Sequence, residues 1–503
     1  ILNNSECARI LFFLPIPSLS HHIFYRPIIK ELSLRGHQVT CITTDPINNK
    51  TLTNLTEINI HDVAYQSVNI PKQFLQQQTD RIIIDLHNFG LMIYKLMDAV
   101  LNDTKIQQLI HNETEHYDLL IVEMLRNVAG YAFKERFNCP MIGLASLKMG
   151  VNGMDCVGNP PDPNIYLDFN HKAGPNLTFF QRLYNFWKLW VLRYIHSYEI
   201  LTMQNQLVKK YFGQNYSDLS DLEKSMDLLL TNSNPIFHMA QPHVPNFIEI
   251  GGLHQRVRHS LPQDLKEFLD NSKQGVIYFS LGSNVKSESL PKSKRDEILK
   301  AFEKLPYNIL WKWENSTLID KPKNVYIKQW LPQQDVLDHP NVKVFVTQGG
   351  IQSVEEAISS KVPMICIPFA VDQIFNADRI AELGIGRKML FDDITTDFMI
   401  EIIVDVAQNI SYKNNIIKVA SQIWDQVTKP LDRAVWWIEY VIRHGGAKHL
   451  RCPATDLSWF QYYLFDVVGF ILLIIILLIN KASVRRLVLE KSVKTYLAST
   501  VFP

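Results

Sequence analysis

The residues best suited to chemistry lie between Trp330 and Asn376, in WLPQQDVLDHPNVKVFVTQGGIQSVEEAISSKVPMICIPFAVDQIFNA. A short apolar strand, Val342 to Val346, runs into Thr347-Gln348-Gly349-Gly350, and a helix opens near Ser353. Two adjacent glycines let backbone N–H groups approach a phosphate closely, and a helix N-terminus adds partial positive charge. Trp330, ahead of the strand, is an aromatic that can stack on a base. A second apolar strand, Val362 to Ile367, leads to the polar pair Asp372-Gln373. Base platform, phosphate cradle and sugar-reading pair thus follow in an order that suits a nucleotide sugar. Transfer of such a sugar to a hydroxyl needs a base as well. His21, in Ser20-His21-His22, follows the first apolar strand at a helix start, where α/β crevices hold ligands and the helix field keeps an imidazole neutral.

The elements that position these residues alternate. Ala8 to Pro15 reads as a buried parallel strand, Ser20 to Leu34 as a helix stopped at Arg35-Gly36-His37, and Gln38 to Thr43 as the next strand. Tyr117 to Val122, a helical stretch to Arg136, and Pro140 to Leu144 repeat the pattern. A second α/β unit starts at Gly275 to Leu281, with further strands at Asn308 to Trp313 and Val325 to Ile327. Ile416 to Arg443 reads as helix returning towards the first unit. The expected organisation is a domain over 1–240, a linker over 241–250 around the proline-rich QPHVP, and a second domain over 251–450. Residues 60–115 and 155–220 carry less pattern. The aromatic-rich segment Phe179 to Tyr198 reads as an amphipathic helix packed into the core. Neither unit has a G-x-G-x-x-G turn, which argues against a nicotinamide or flavin enzyme.

Composition sets further bounds. With 503 residues the chain is too long for one core, and a formal net charge of +1 gives no argument for a nucleic-acid partner. Six cysteines (Cys7, Cys41, Cys139, Cys156, Cys366, Cys452) form no C-x-x-C pair, so zinc and dithiol chemistry are not indicated, and no disulfide connectivity can be read. Absence of a D-x-D pair in the second unit gives no reason to expect a metal. Leu464 to Val484 reads as a transmembrane helix, with Trp459, Tyr462 and Tyr463 as an aromatic belt. Lys481, Arg485, Arg486, Lys491 and Lys494 follow, so the tail over 485–503 is expected to be cytosolic. The end, YLASTVFP, has no dilysine pattern. N-x-S/T sequons at Asn3, Asn49, Asn54, Asn102, Asn112, Asn176, Asn215, Asn315 and Asn409 all precede this helix, in keeping with a lumenal body. The sequence starts at Ile1, which fits either a removed signal peptide or an incomplete N-terminus.

The segments W-x-P-Q (Trp330 to Gln333), H-P (His339-Pro340), T-x-G-G (Thr347 to Gly350), S-x-x-E (Ser353 to Glu356), V-P (Val362-Pro363) and D-Q-x-x-N (Asp372 to Asn376) resemble the donor signature of the UDP-glycosyltransferases. The resemblance covers nearly the whole chain. It implies the α/β GT-B fold of two facing Rossmann-like domains, here with a C-terminal transmembrane helix. It also implies inverting hexose transfer from a UDP-sugar to a small lipophilic acceptor, as in detoxification or hormone and pigment conjugation. A single-pass endoplasmic reticulum location, no cofactor and no metal follow, while association of like chains stays open. By resemblance Trp330 stacks on uracil, Gln333 binds its edge and Glu356 takes the ribose hydroxyls. Ser283, Ser353, Gly349 and Gly350 hold phosphate, and Asp372 and Gln373 read the sugar. The family's S-H pair before R-G-H selects His21 over His22 as base. Its orienting Asp falls at Glu123, one methylene longer, with Asp118 as the fallback. Two departures stand out. Gln348 replaces the usual histidine of T-H-G-G, so an uncharged amide faces the phosphate, and Lys361 replaces a glycine before V-P. The glutamine form resembles the insect branch, which leans towards UDP-glucose. The rival expectation is a non-catalytic carrier of a UDP-sugar or a lipophilic ligand.

Overall fold

The computed structural model describes residues 7–68, 82–168, 174 and 176–500; the sequon at Asn3 lies outside them. The first sheet is built from β1 (Arg9–Leu14), β2 (Gln38–Thr43), β3 (Leu55–Asn59), β4 (Leu119–Glu123), β5 (Met141–Ala145), β6 (Leu228–Thr231) and β7 (Phe247–Glu249). Its spatial order is β3-β2-β1-β4-β5-β6-β7, and every pairing is parallel. The second sheet comprises β8 (Val276–Ser280), β9 (Asn308–Lys312), β10 (Val325–Lys328), β11 (Val342–Thr347), β12 (Met364–Cys366) and β13 (Gly386–Lys388), in the order β10-β9-β8-β11-β12-β13, again all parallel. Each sheet reverses its winding beside its first strand, between β1 and β4 and between β8 and β11. Such a reversal opens a crevice at the strand C-termini.

Continuous apolar runs explain the central strands. Ile10 to Leu14 and Leu119 to Val122 are fully buried because helices cover both faces of the sheet. One face carries the helix Leu19–Leu34, whose Phe24, Tyr25, Ile28 and Leu32 repeat at helical spacing. That helix ends in Arg35, and Gly36 takes φ +96°, the left-handed stop that glycine favours. The helix Pro430–His444 packs in the same apolar cluster through Ala434, Val435, Ile438 and Val441. Residues 430–444 therefore belong physically to the first sheet, although the expected second domain included them. Asp227 fixes the return: its carboxylate accepts the amides of Ala447 (2.7 Å) and Met141 (3.0 Å).

Three further expectations change. The linker over 241–250 contains β7, since Phe247 and Ile248 are buried beside β6 and extend the sheet by one strand. Ile82–Asn102 and Thr104–His111 are helices where the sequence showed little pattern. The helix Phe179–Tyr194 forms, but its aromatic face is outside: Phe179, Phe180, Phe186 and Trp187 are exposed, while Asn185 and Lys188 are buried. Aromatic content alone cannot tell which face meets the body.

Residues 452–503 form a separate unit dominated by a helix from Phe465 to Thr500. Its apolar part is long enough to cross a membrane. At 1.5 Å per residue its 36 residues extend about 54 Å, against a hydrocarbon layer of about 30 Å. The helix thus continues well past the expected span at 484. Tyr462 and Tyr463 precede it, and the side chain of Trp459 lies outside the described residues.

Candidate active site

Backbone geometry at the two crevices brings the expected residues to one cavity. On the first side the chain leaves β1 at Leu14 and enters the helix at Leu19, with His21 in its first turn. β4 lies next to β1, so its last residue, Glu123, emerges beside that turn. His21 Nδ1 is 2.8 Å from Glu123 Oε1. Glu123 is buried, and it also accepts the Tyr25 hydroxyl (3.1 Å) and the Ile16 amide (3.2 Å). A carboxylate only accepts, so Nδ1 carries a proton in this pairing, and in the neutral ring the lone pair is then on Nε2. Asp118 sits at the other end of β4, where it accepts the Arg9 amide (2.7 Å). His22 is buried; its ring meets Thr43 Oγ1 (3.0 Å) and Thr44 Oγ1 (2.7 Å), and burial lowers its pKa despite Glu123 and Asp45. The two adjacent histidines therefore differ in kind: His21 lines the cavity, whereas His22 is locked into the fold.

On the second side, Gln348-Gly349-Gly350 joins β11 to the helix Ile351–Ser359. Gly349 has φ +86°, and a Cβ there would fall 2.2 Å from Cys366 Sγ, so no other residue fits this turn. Gly282, after β8, has φ +81°, and its missing Cβ makes room for Gln348 Nε2. Gln348 is buried, and its carbonyl oxygen has no hydrogen-bond partner among the described residues. Ser283 and Gly350 line the same space.

A polar chain floors this half. Tyr278 donates to Gln333 Oε1 (2.9 Å), and Gln333 Nε2 donates to Ser353 Oγ (2.9 Å) and to Glu356 Oε2 (2.7 Å). Gln334 donates to the other Glu356 oxygen (3.0 Å), and burial raises the Glu356 pKa. Trp330 is 57% exposed, as a platform for a planar ring requires. Asp372 Oδ2 accepts the Asn376 amide group (2.8 Å) and the Ile351 N–H (3.2 Å). Burial pushes its pKa up to about 6, against the pull of these donors and of His21. Gln373 spends its carbonyl on the amides of Phe369 (2.8 Å) and Ala370 (3.1 Å), which leaves its NH₂ as the group for a ligand.

Apart from Glu123 and Gly349, which stand behind the surface, all the expected site residues line one cavity of about 460 Å³. Beside His21 its wall is apolar: Ile23, Phe89, Met92, Ile93, Leu96 and Leu125. Sequence reasoning missed this wall, because a helix lining a cavity has the same apolar spacing as one packed in a core. It also missed Tyr278, Arg256 and Lys312. Lys312 is nearly buried, donates to the Gly282 carbonyl (3.0 Å) and Glu314 (2.8 Å), and lies 5.8 Å from the centre of the Trp330 ring. Its place at the C-terminal end of β9, on the crevice edge, was the available signal.

Comparisons with known proteins agree with this architecture. Residues 10–495 match the family described as UDP-glucoronosyl and UDP-glucosyl transferase. UDP-glycosyltransferase UGT5 of Dactylopius coccus is 32% identical over 486 residues, covering 93% of this chain and 89% of that protein. The ecdysteroid UDP-glucosyltransferase of Spodoptera littoralis nuclear polyhedrosis virus is 30% identical, covering 93% and 94%. Human UDP-glucuronosyltransferase 2B10 is also 30% identical, covering 93% and 91%. In fold, the chain is similar to the glycotransferase of kitacinnamycin (TM-score 0.60, 18% identity, 87% of this chain and 100% of that one) and to the calicheamicin glycosyltransferase CalG4 (TM-score 0.58, 18% identity, 87% and 99%). The crevice pair, the double-glycine turn and a family match over almost all of its length together make this chain a member of the UDP-glycosyltransferase family, an enzyme of the GT-B fold.

Proposed function

We propose that the enzyme transfers a hexose, glucose favoured, from its UDP-sugar to a hydroxyl of a small lipophilic acceptor, with inversion at the anomeric carbon. His21 Nε2 takes the acceptor proton as the oxygen attacks. The bond from the anomeric carbon to the diphosphate breaks on the opposite face, and UDP leaves into the cradle of Gly349, Gly350, Ser353 and Ser283. Glu123 is the positioning residue: it holds the imidazole tautomer and favours the imidazolium that forms. Trp330, Gln333 and Glu356 bind the nucleoside, and Asp372 with Gln373 binds the hexose hydroxyls. Backbone amides, Gln348 and Lys312 are the chain's own groups for the leaving diphosphate, so no metal is required in this reading. The Phe465–Thr500 helix anchors the enzyme in the endoplasmic reticulum membrane, with its body lumenal and its tail cytosolic.

The observation that carries this reading is the 2.8 Å pairing of His21 with a buried carboxylate on the same cavity as the double-glycine turn. The preference for glucose is supported by the glucosyltransferases among the relatives. Incubation of the detergent-solubilised enzyme with UDP-glucose, UDP-glucuronic acid and a phenol tests it. The expected product is the phenol with one hexose added and a β-anomeric linkage by NMR. Bound UDP with no product from any sugar and a broad acceptor panel would leave a UDP-sugar carrier, the rival that Gln348 brings to mind.

A further inference from the structure

Beside the large cavity the first half holds a smaller one, and the segment after β4 runs from one to the other. Glu123 pairs with His21, Leu125 lines both cavities, and Arg126 lines the smaller. The segment after β5 makes the same passage, with Leu147 on the large cavity and Met149 on the small one. Three residues of extended chain reach at most about 11 Å, so the two spaces are neighbours at the C-terminal end of one sheet. The smaller has a volume of about 40 Å³. A buried water needs about 10–15 Å³ of such space, so a carboxylate-sized group fits and a ring does not.

Polar groups ring this space, where the wall beside His21 is apolar. The side chain of Arg126 is only 10% exposed. Its Nη2 lies 3.5 Å from Asp168 Oδ2, a long contact, and its Nη1 has no hydrogen-bond partner among the described residues. Asp168 also acts on the buried Lys188, so its charge is shared. Burial draws the Arg126 pKa down, and Asp168 draws it up. His196 brings a second such atom to the cavity. Its Nε2 is 2.7 Å from Glu223 Oε1, while its Nδ1 has no partner among the described residues. The same Glu223 oxygen accepts the Cys156 thiol (3.1 Å). A buried guanidinium N–H left unmatched is costly, and folded proteins rarely keep one without a use.

The turn that carries Arg126 is pinned. Arg126 takes φ +63°, and Gln204 bridges the turn, donating to the Arg126 carbonyl (2.6 Å) and accepting the Ala129 amide (2.9 Å). Asn127 Oδ1 accepts the Leu125 amide (2.9 Å). A guanidinium stays charged at any pH the protein meets, and its flat fork matches a carboxylate. We propose that Arg126 is the far anchor of the acceptor site: it binds the carboxylate of an elongated hydroxy acid, whose apolar body lies along Leu125 and whose hydroxyl meets His21. The ligand's carboxylate completes at Nη1 the pairing that Asp168 begins at Nη2, and His196, once protonated at Nδ1, is a second donor to it. No bond forms or breaks at Arg126; it decides which acceptors are taken. The hydroxyl end of this assignment rests on the transferase reading above; the anchor does not.

The test pairs three flat hydroxy acids of increasing length, para-hydroxybenzoic acid, para-hydroxycinnamic acid and their biphenyl analogue, with their methyl esters, on the full detergent-solubilised chain. At one length kcat/KM for the acid should exceed that for its ester by about tenfold. Esters equal to or better than their acids at every length would overturn the proposal, whatever any variant does. In Arg126→Met the acid-to-ester ratio at that length should fall about tenfold, through KM of the acid rather than kcat, and Arg126→Lys should recover part of it. An equal loss for acid and ester, with the ratio kept, would make Arg126 a structural residue and overturn the proposal too. Calorimetric Kd values for acid and ester in the presence of UDP need no turnover. An acid bound about tenfold more tightly than its ester, yet never glycosylated, would keep the anchor and sink the transferase reading. Equal Kd values beside normal turnover would sink the anchor alone.

Discussion

The two halves of the molecule solve the same topological problem with different chemistry. Both place a crevice where the winding of a parallel sheet reverses. The first half fills it with side chains, a histidine from the first turn of the helix after β1 and a glutamate from the end of β4, 2.8 Å apart. The second fills it with backbone, two neighbouring turns, after β8 and β11, whose glycines at φ +81° and +86° leave no space for a Cβ. A proton is taken by one atom of one ring, so a single side chain must be aimed. A diphosphate spreads its charge over many oxygens, and a cradle of amides answers it better. Substitutions should therefore separate the halves: those at β1 and β4 should change turnover, and those at β8 and β11 should change donor affinity.

The largest separation is expected for His21→Ala. It should lose about 10²–10⁴-fold in kcat while the Kd for UDP, measured by calorimetry, stays as in the parent. Glu123→Gln comes next. An amide can donate to Nδ1 and favour the wrong tautomer, so kcat should fall about tenfold to a hundredfold with little change in KM for either substrate. A weakened UDP affinity in either variant would break the division. On the other side, Gly349→Ala must accommodate a Cβ 2.2 Å from Cys366 Sγ at φ +86°. Strain of ~1–3 kcal/mol should weaken UDP binding by about tenfold or more. Gln348→His would offer an imidazole that can carry charge, and a charged donor is worth roughly twice a neutral one, so a several-fold gain in UDP affinity is expected. No gain would mean that Lys312 and the amides already saturate the demand.

The smallest effect is a pH dependence confined to the hexose. Asp372 has its pKa raised to about 6 from an ordinary 3.8, with burial as the main cause. The folded state thus holds this proton more tightly than the unfolded one. Its contribution to stability is complete below the unfolded value and is lost as pH rises through about 6. In the proposed role of Asp372, ligand recognition runs the other way, because only the carboxylate is a pure acceptor for sugar hydroxyls. KM for UDP-glucose should rise as pH falls below about 6, by more than the Kd for UDP, which lacks the hexose and follows only the titration of its own terminal phosphate at about 6. Asp372→Asn should abolish the difference.

The halves also differed in how readily they could be read. Most of the second half's share of the site lies in one stretch, Trp330 to Asn376, whose glycines and polar pairs are punctuation that ordinary core packing does not produce. His21 was legible from its place after a strand and at a helix start. Glu123 was reached only by register with a family, because a strand-end glutamate looks alike whether it faces solvent or a ring. The apolar wall of the cavity, from Ile23, Leu125 and the helix Ile82–Asn102, was illegible, since apolar residues at helical spacing carry no label for cavity or core. The aromatic face of Phe179–Tyr194 was misread for the same reason. The strand Phe247–Glu249 escaped because prolines nearby dominate its local pattern.

The return of the chain has a mechanical consequence. Polypeptide passes between the halves twice, once after Glu249 and once between Trp424 and Pro430. Two pivots define a line, so any gape or clamp of the crevice is restricted to rotation about it, as a door moves on two pins. Sideways sliding would stretch one passage against the other. Severing the chain near residue 427 should free the halves to slip, even though neither sheet loses a strand.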